Sequence, residues 1–328
     1  MITVIGSLNY DLVTYTDRVP GGGETFQADA FETHIGGKGL NEAIAVARLT
    51  ASQDGAKVQR VRMIGRVGDD GFGKELIDAL KGDGVDTTFI DSVPNTKSGV
   101  AVILVEAESG ENRILITSGA NGTLQPTNSE YEQYFPPEIC GTDHYVILQN
   151  EYPDTLKTIE WLKVNRPAVN ICYNPSPFKK EWVSSVVLAS IDLIIVNEGE
   201  ASDIASVLGL HHKENCDIAT LAEFLQRALA PNGISTVIIT LGSKGCVYTN
   251  KDISPPLKAD SVKVSHVVDT TGAGDTFFGG VVLQLSQAKC LHEAITFATR
   301  ASSLAIQKHG AAESIPTFDD ITEGHFIN

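Results

Sequence analysis

Four short stretches combine residue types that could bind or act on a small polar ligand. The first is Val267-Val-Asp-Thr-Thr-Gly-Ala-Gly-Asp-Thr-Phe-Phe-Gly-Gly280. Phe277, Val281 and Leu285 recur there at helical spacing, so Asp275 falls at or near a helix start. Gly272, Ala273 and Gly274 let backbone N–H groups approach an anion, and the helix terminus adds partial positive charge. The result is an anion hole with a carboxylate beside it. The plainer reading is that Asp275 only caps the helix, the commonest use of an Asp there.

The second stretch, His34-Ile-Gly-Gly-Lys-Gly-Leu-Asn-Glu42, is also glycine-rich and also opens onto helical spacing through Leu40, Ile44 and Ala47. No Gly-x-x-x-x-Gly-Lys-[Ser/Thr] occurs, which argues against a Walker loop, and no strand runs into Gly-x-Gly-x-x-Gly, which argues against a dinucleotide site and a dehydrogenase. Gly37 lets the backbone close on a small ligand, while Lys38 and Asn41 can donate to its hydroxyls; a tight turn with a solvated lysine is the alternative. In the third stretch, Gly6-Ser-Leu-Asn-Tyr-Asp11, Asn9 and Asp11 lie two apart on an extended segment, so an amide and a carboxylate face the same way. Both also serve as turn residues. The fourth, Asn197-Glu-Gly-Glu200, reads by itself as a helix cap with an acidic first turn.

These groups need a scaffold. Near-continuous apolar runs at Val4-Ile5, Val61–Ile64, Tyr145–Leu148, Val169–Tyr173, Leu193–Val196 and Val237–Thr240 predict strands buried on both faces. Helical spacing over Thr155–Asn165 and Leu221–Leu229 makes the pattern repeated βα, a doubly wound, mostly parallel sheet flanked by helices. Tyr10–Ile35 and Ser98–Ser118 break the rhythm, alternating as a half-exposed antiparallel sheet does, with Ser109-Gly110 as a hairpin turn. We read residues 1–9, 37–96 and 119–328 as the α/β core and 10–36 with 97–118 as a small antiparallel β lid; two surface hairpins without a gating role are the alternative.

Composition narrows the partners. With 328 residues, 42% hydrophobic, the chain can bury a large core, and a net charge of −16 argues against nucleic acid. Cys140, Cys172, Cys216, Cys246 and Cys290 are an odd, widely spaced set that reads as reduced packing residues. No apolar run approaches the roughly 18 residues of a membrane span, and the opening Met1–Gly6 lacks the features of a secretory signal. We place the chain in the cytosol, with the nucleus as a second compartment open to it.

In their order and spacing, Gly36–Asn41 and Asp269–Asp275, with Asn9-x-Asp11 and the C-terminal Gly310-Ala-Ala-Glu-Ser-Ile-Pro316, resemble the ribokinase-like family of carbohydrate kinases. The match is nearer to its ribokinase branch than to the fructokinase or adenosine kinase branches. The resemblance implies ATP-dependent phosphorylation of D-ribose at its terminal hydroxyl, with Asp275 as base. It implies sugar contacts from Asn9, Asp11, Gly37, Lys38, Asn41 and Glu151, the last in a stretch whose flanking residues depart from the family's commoner spelling. Asn197 and Glu200 then correspond to residues associated with water-mediated Mg²⁺ and phosphate binding. Thr240, Gly242, Ser243, Gly245 and Thr299 fall on the nucleotide side together with Gly274. Asp269, Thr271, Ala305, Lys308, Gly310 and Ser314 match a K⁺ site, and the lid is a dimer surface in relatives. A kinase for another sugar or for a nucleoside stacked on Tyr10, Tyr15 or Phe26 is a second reading, and a non-catalytic sugar sensor a third.

Overall fold

The structure is a computed structural model that describes residues 1–53, 56–57, 59–106, 112–180, 183, 189–209, 217–229 and 236–323. The predicted turn at Ser109-Gly110 and Cys216 lie outside the described residues.

The main sheet takes strands β1 (Ile2–Ile5), β6 (Val61–Gly68), β7 (Asp86–Val93), β10 (Tyr145–Gln149), β11 (Asn170–Asn174), β12 (Leu193–Asn197), β13 (Thr236–Thr240), β14 (Cys246–Asn250) and β15 (Ile253–Ala259). Its order is β15-β14-β13-β12-β11-β10-β1-β6-β7. Every pairing from β13 to β7 is parallel, and the last two strands turn back antiparallel. The apolar runs explain how both faces are filled. Ile147, Cys172, Leu193, Ile195 and Ile238 enter one core with the helices Lys38–Leu49, Ala273–Ser286 and Leu291–Ala305. Their neighbours Val146, Leu148, Ile171, Tyr173, Ile194, Val196, Val237 and Ile239 enter a second core with the helices Thr155–Asn165, Glu198–Val207 and Ile218–Leu229. Strand periodicity of two feeds two layers from one sequence run, as a doubly wound sheet requires.

A second, four-stranded sheet joins β3 (Ala30–Gly36), β2 (Asn9–Thr16), β8 (Gly99–Glu106) and β9 (Asn112–Thr117) in that order, and β4 (Ser52–Gln53) pairs antiparallel with β5 (Ala56–Lys57) apart from both sheets. The β2–β3 and β8–β9 pairs are antiparallel, as expected, but the central β2–β8 pair is parallel, with Asn9 opposite Gly99 and Thr16 opposite Glu106. The cause is connectivity. Strand β2 leaves the carboxyl end of β1 and β8 follows the carboxyl end of β7, so both set out from the same edge of the core in the same direction.

The packing expectation for the cysteines holds at Cys172 and Cys246, which are buried, and fails at Cys290, which is exposed at the N-cap of Leu291–Ala305. Among the described residues, no helix is long and apolar enough to cross a membrane.

Candidate active site

Chain order changes direction at β1, whose two neighbours are β10 on one side and β6 on the other. Crevices for ligands form at the carboxyl ends of parallel strands around such a reversal. Here the end of β1 leads through Gly6-Ser7 to Asn9, the end of β10 to Glu151, and the ends of β12 and β13 bring Asn197 opposite Thr240.

Two helix N-termini meet at this crevice, with Asn41 of one bonded to Asp275 of the other at 2.8 Å. The helix Lys38–Leu49 starts after Gly37, at φ 91°. A Cβ there would stand 2.8 Å from the Asn9 nitrogen and 3.0 Å from the Ser7 carbonyl, so only glycine allows this close crossing of the first strand's exit. The helix Ala273–Ser286 starts after Gly272, at a left-handed φ of 74°; the Ala273 N–H, expected in the anion hole, is taken by the Thr270 carbonyl at 3.3 Å, which leaves the first-turn N–H groups of Gly274 and Asp275 at the helix N-terminus. A Cβ on Gly274 would meet nothing within 4 Å, so this glycine borders open space rather than packed chain.

Asp275 sits in the first turn of its helix, 9% exposed. It does not cap the helix, since Gly272 holds that position without a side-chain bond. Instead Asn41 Nδ2 donates to Asp275 Oδ2 at 2.8 Å, and Lys38 Nζ stands 3.8 Å from Asp275 Oδ1. Glu151 closes the third side: its Oε2 accepts from the Lys38 backbone N–H at 3.1 Å and from the Ser7 hydroxyl. Burial pushes the Lys38 ammonium down, but the acidic groups around it, Asp275 and Glu151 foremost, outweigh it and the net shift is upward. Lys38 is therefore charged and is shared by two candidate site carboxylates.

Asn9 and Asp11 are both buried on one face of β2, as their spacing predicts. Asn121 orients the first, donating from Nδ2 to Asn9 Oδ1 at 2.8 Å and to the Leu8 carbonyl at 3.0 Å. Burial, followed by the charges of Glu151 and Glu313, pushes the Asp11 carboxyl up to about 7.

The nucleotide-side candidates are less tightly gathered. Asn197 and Glu200 form a reciprocal capping box, with Glu200 N–H to Asn197 Oδ1 at 2.8 Å and Asn197 N–H to Glu200 Oε2 at 3.0 Å. The cap reading is thus realised, while Glu200 remains near enough to act on Lys38. Thr240 ends β13 with its hydroxyl on the Val196 carbonyl at 3.3 Å. Gly242, Ser243 and Gly245 make a short turn closed by a Gly245 N–H to Gly242 carbonyl bond of 3.1 Å. Thr299 is half-buried on Leu291–Ala305, with its hydroxyl bonded back to Ile295 at 2.8 Å.

The candidate cation residues converge behind the anion hole. Asp269 Oδ1 accepts from the Thr271 N–H at 2.9 Å and hydroxyl at 2.6 Å, and its Oδ2 accepts from the Gly310 N–H at 3.1 Å. Burial alone would raise the Asp269 pKa, but the bonds from Thr271 and Gly310 outweigh it and the carboxyl is held ionised. Val268 and Asp269 N–H groups reach the Ile306 carbonyl, Lys308 N–H reaches the Ala305 carbonyl at 3.1 Å, and the buried Ser314 hydroxyl reaches that of Ala311 at 2.8 Å. Both Asp269 oxygens are thus held by donors from Thr271 and Gly310, and the Ala305 carbonyl and Ser314 hydroxyl are each bonded within the C-terminal segment.

Sequence reasoning gave no role to Ser7, Asn121, Glu313 or Glu42. Glu313 Oε1 accepts from the Ile35 N–H at 3.1 Å and lies 3.7 Å from His34 Nδ1, joining β3 to the C-terminal loop. Glu42 was legible only as a carboxylate inside a run of apolar residues.

A carboxylate held by Lys38 and Asn41 in the first turn of a helix suits phosphoryl transfer to a hydroxyl. The pfkB family carbohydrate kinase model matches residues 1–318, and the chain belongs to this family. It is 35% identical over 327 residues to a ribokinase of Schizosaccharomyces pombe, covering 99% of this chain and 97% of that one. It is 32% identical over 329 residues to a deoxyribokinase of Salmonella typhi, covering 100% of this chain and 99% of that one. The solved structure of Arabidopsis thaliana ribokinase complexed with ribose and ATP superposes with a TM-score of 0.82 at 28% identity, over 98% of this chain and 97% of that one.

Proposed function

We propose that the chain transfers the γ-phosphate of ATP to the terminal O5 hydroxyl of D-ribose, giving ribose 5-phosphate and ADP. The observation that carries this reading is the convergence of Asn41 and Lys38 on Asp275 at the mouth of the Gly272–Gly274 turn. Asp275 takes the hydroxyl proton as the oxygen attacks phosphorus, and the first-turn N–H groups receive the charge on the transferring phosphoryl. Asn9, Asp11, Gly37, Lys38, Asn41 and Glu151 hold the sugar so that its terminal hydroxyl meets Asp275. Thr240, Gly242, Ser243, Gly245 and Thr299 serve the nucleotide, and Asn197 and Glu200 would hold the waters of a Mg²⁺ ion that balances phosphate charge. Asp269, Thr271, Ser314 and the carbonyls of Ala305, Lys308 and Gly310 would hold K⁺, fixing the loop under the anion hole. The four-stranded sheet acts as a lid that excludes water.

Two of the three aromatic residues that could shelve a nucleoside base are engaged elsewhere, while Tyr15 shares the β2 face of Asn9 and Asp11, its hydroxyl 3.1 Å from Glu32. Tyr10 lies on the β2 face opposite Asn9 and Asp11, stacked on Phe72 at 4.1 Å with its hydroxyl 2.7 Å from Glu75. Phe26 lies beneath the Arg18 guanidinium at 4.5 Å. A second reading, 2-deoxyribose as acceptor, is supported by the similarity to a deoxyribokinase. ADP release measured against ribose, 2-deoxyribose, fructose and adenosine distinguishes them. The highest kcat/KM is expected with ribose; preference for a nucleoside, or no sugar-dependent ADP release, contradicts the proposal.

A further inference from the structure

Glu42 is fully buried on Lys38–Leu49, one residue beyond Asn41. Its Oε2 accepts from Gln149 Nε2, and among the described residues its Oε1 has no protein partner. Gln149 is the last residue of β10, two residues before Glu151, and its backbone carbonyl accepts from the Thr155 hydroxyl at 2.8 Å. Its amide lies against Gly6, where a Cβ would come within 2.0 Å of Oε1. The Glu42–Gln149 pair thus joins the helix that carries Lys38 and Asn41 to the two strand ends that carry Ser7 and Glu151.

We propose that Glu42 is a positioning residue, which through Gln149 fixes the Lys38–Asn41 turn and Glu151 around Asp275. The inference rests on the reading of Asp275 as base. Charge explains how a carboxyl is tolerated there. Burial, then the adjacent Asp275 charge, raises its pKa well above the ordinary carboxyl value, against the opposing pull of Lys38 and the Gln149 bond. Glu151 adds to the rise, and Cys172 on β11 also faces it. The shift favours the protonated, neutral form of Glu42, which an amide of the same shape can replace.

The sign of the pH effect follows. The folded pKa stands above the unfolded value of about 4.3, so the folded state binds this proton more tightly. Stability from the protonated group is complete at low pH and declines as pH rises from the unfolded pKa toward the folded one.

The test compares Glu42→Gln, Glu42→Ala and Gln149→Met with Asp275→Asn, all as full chains. Glu42→Gln should keep the kcat and sugar KM of the parent. Its Tm should exceed the parent's at pH 8 and approach it at pH 5. Glu42→Ala and Gln149→Met should lose about tenfold or more in kcat, since small displacements of reacting groups have effects of that size, with ATP KM unchanged. Should Glu42→Ala fail to fold, Gln149→Met and the Tm difference decide. Parent-like kcat in both truncated variants, equal loss in Glu42→Gln, or a pH-independent Tm difference would overturn the inference. Asp275→Asn separates the two ideas: parent-like kcat there removes the base reading itself.

Discussion

At the scale of single residues, the site is a balance among carboxyl groups around one lysine. Lys38 lies 3.8 Å from Asp275, its backbone bonds Glu151, and Asp11 is shifted upward by burial and by Glu151 and Glu313. Asp11 therefore loses its proton only near pH 7 in the free protein, and only the ionised form is a full acceptor for sugar hydroxyls. We expect kcat/KM for ribose to fall as pH drops through about 7, with the limb flattened in Asp11→Asn; the same limb in the variant would point to another group. Asp275, Lys38, Asn41, Asn9 and Asp11 were legible in the sequence because glycines and strand parity announce them. Asn121, Ser7 and Glu42 were not, because their partners lie 112, 144 and 107 residues away along the chain. No local spacing encodes that pairing.

At the scale of elements, two tight helix starts and one loop gather the candidate residues. Gly37→Ala must place a methyl group 2.8 Å from the Asn9 nitrogen and hold alanine at φ 91°. A cost of about 1–3 kcal/mol is expected for such backbone strain, read as a lowered Tm together with a raised ribose KM; an unchanged KM would mean that the crossing does not set the sugar site. The loop at Asp269–Asp275 is tied to Gly310 and Ile306, so cation occupancy should bear on the anion hole. Replacing K⁺ by tetramethylammonium is expected to lower both the rate and the apparent ribose affinity, and no change in either would remove the ion site. Strand positions were readable from apolar runs. The parallel β2–β8 pairing was not, since alternation reports burial of a face and says nothing of strand direction.

At the scale of the whole molecule, the smaller sheet leaves apolar surface uncovered. Val102 and Leu115 are register partners on one face, 37% and 68% exposed, and Phe31 on the same face is 61% exposed. An apolar patch of this kind on a sheet fits pairing with a second copy. Light scattering should show the mass rising with concentration above 35.1 kDa, and Leu115→Lys should hold it at that value; a concentration-independent monomer would leave the sheet with only its lid role. The βα rhythm made the core legible from sequence, whereas oligomeric state depends on a surface whose partner no single chain encodes.

The account turns on Asp275 as the base, and one comparison tests it most directly. Ribose-dependent ADP release and calorimetric ribose binding are measured for the parent and for Asp275→Asn. The account predicts nearly unchanged ribose and ATP affinity with turnover reduced at least about a hundredfold. Near-normal turnover in the variant would contradict it.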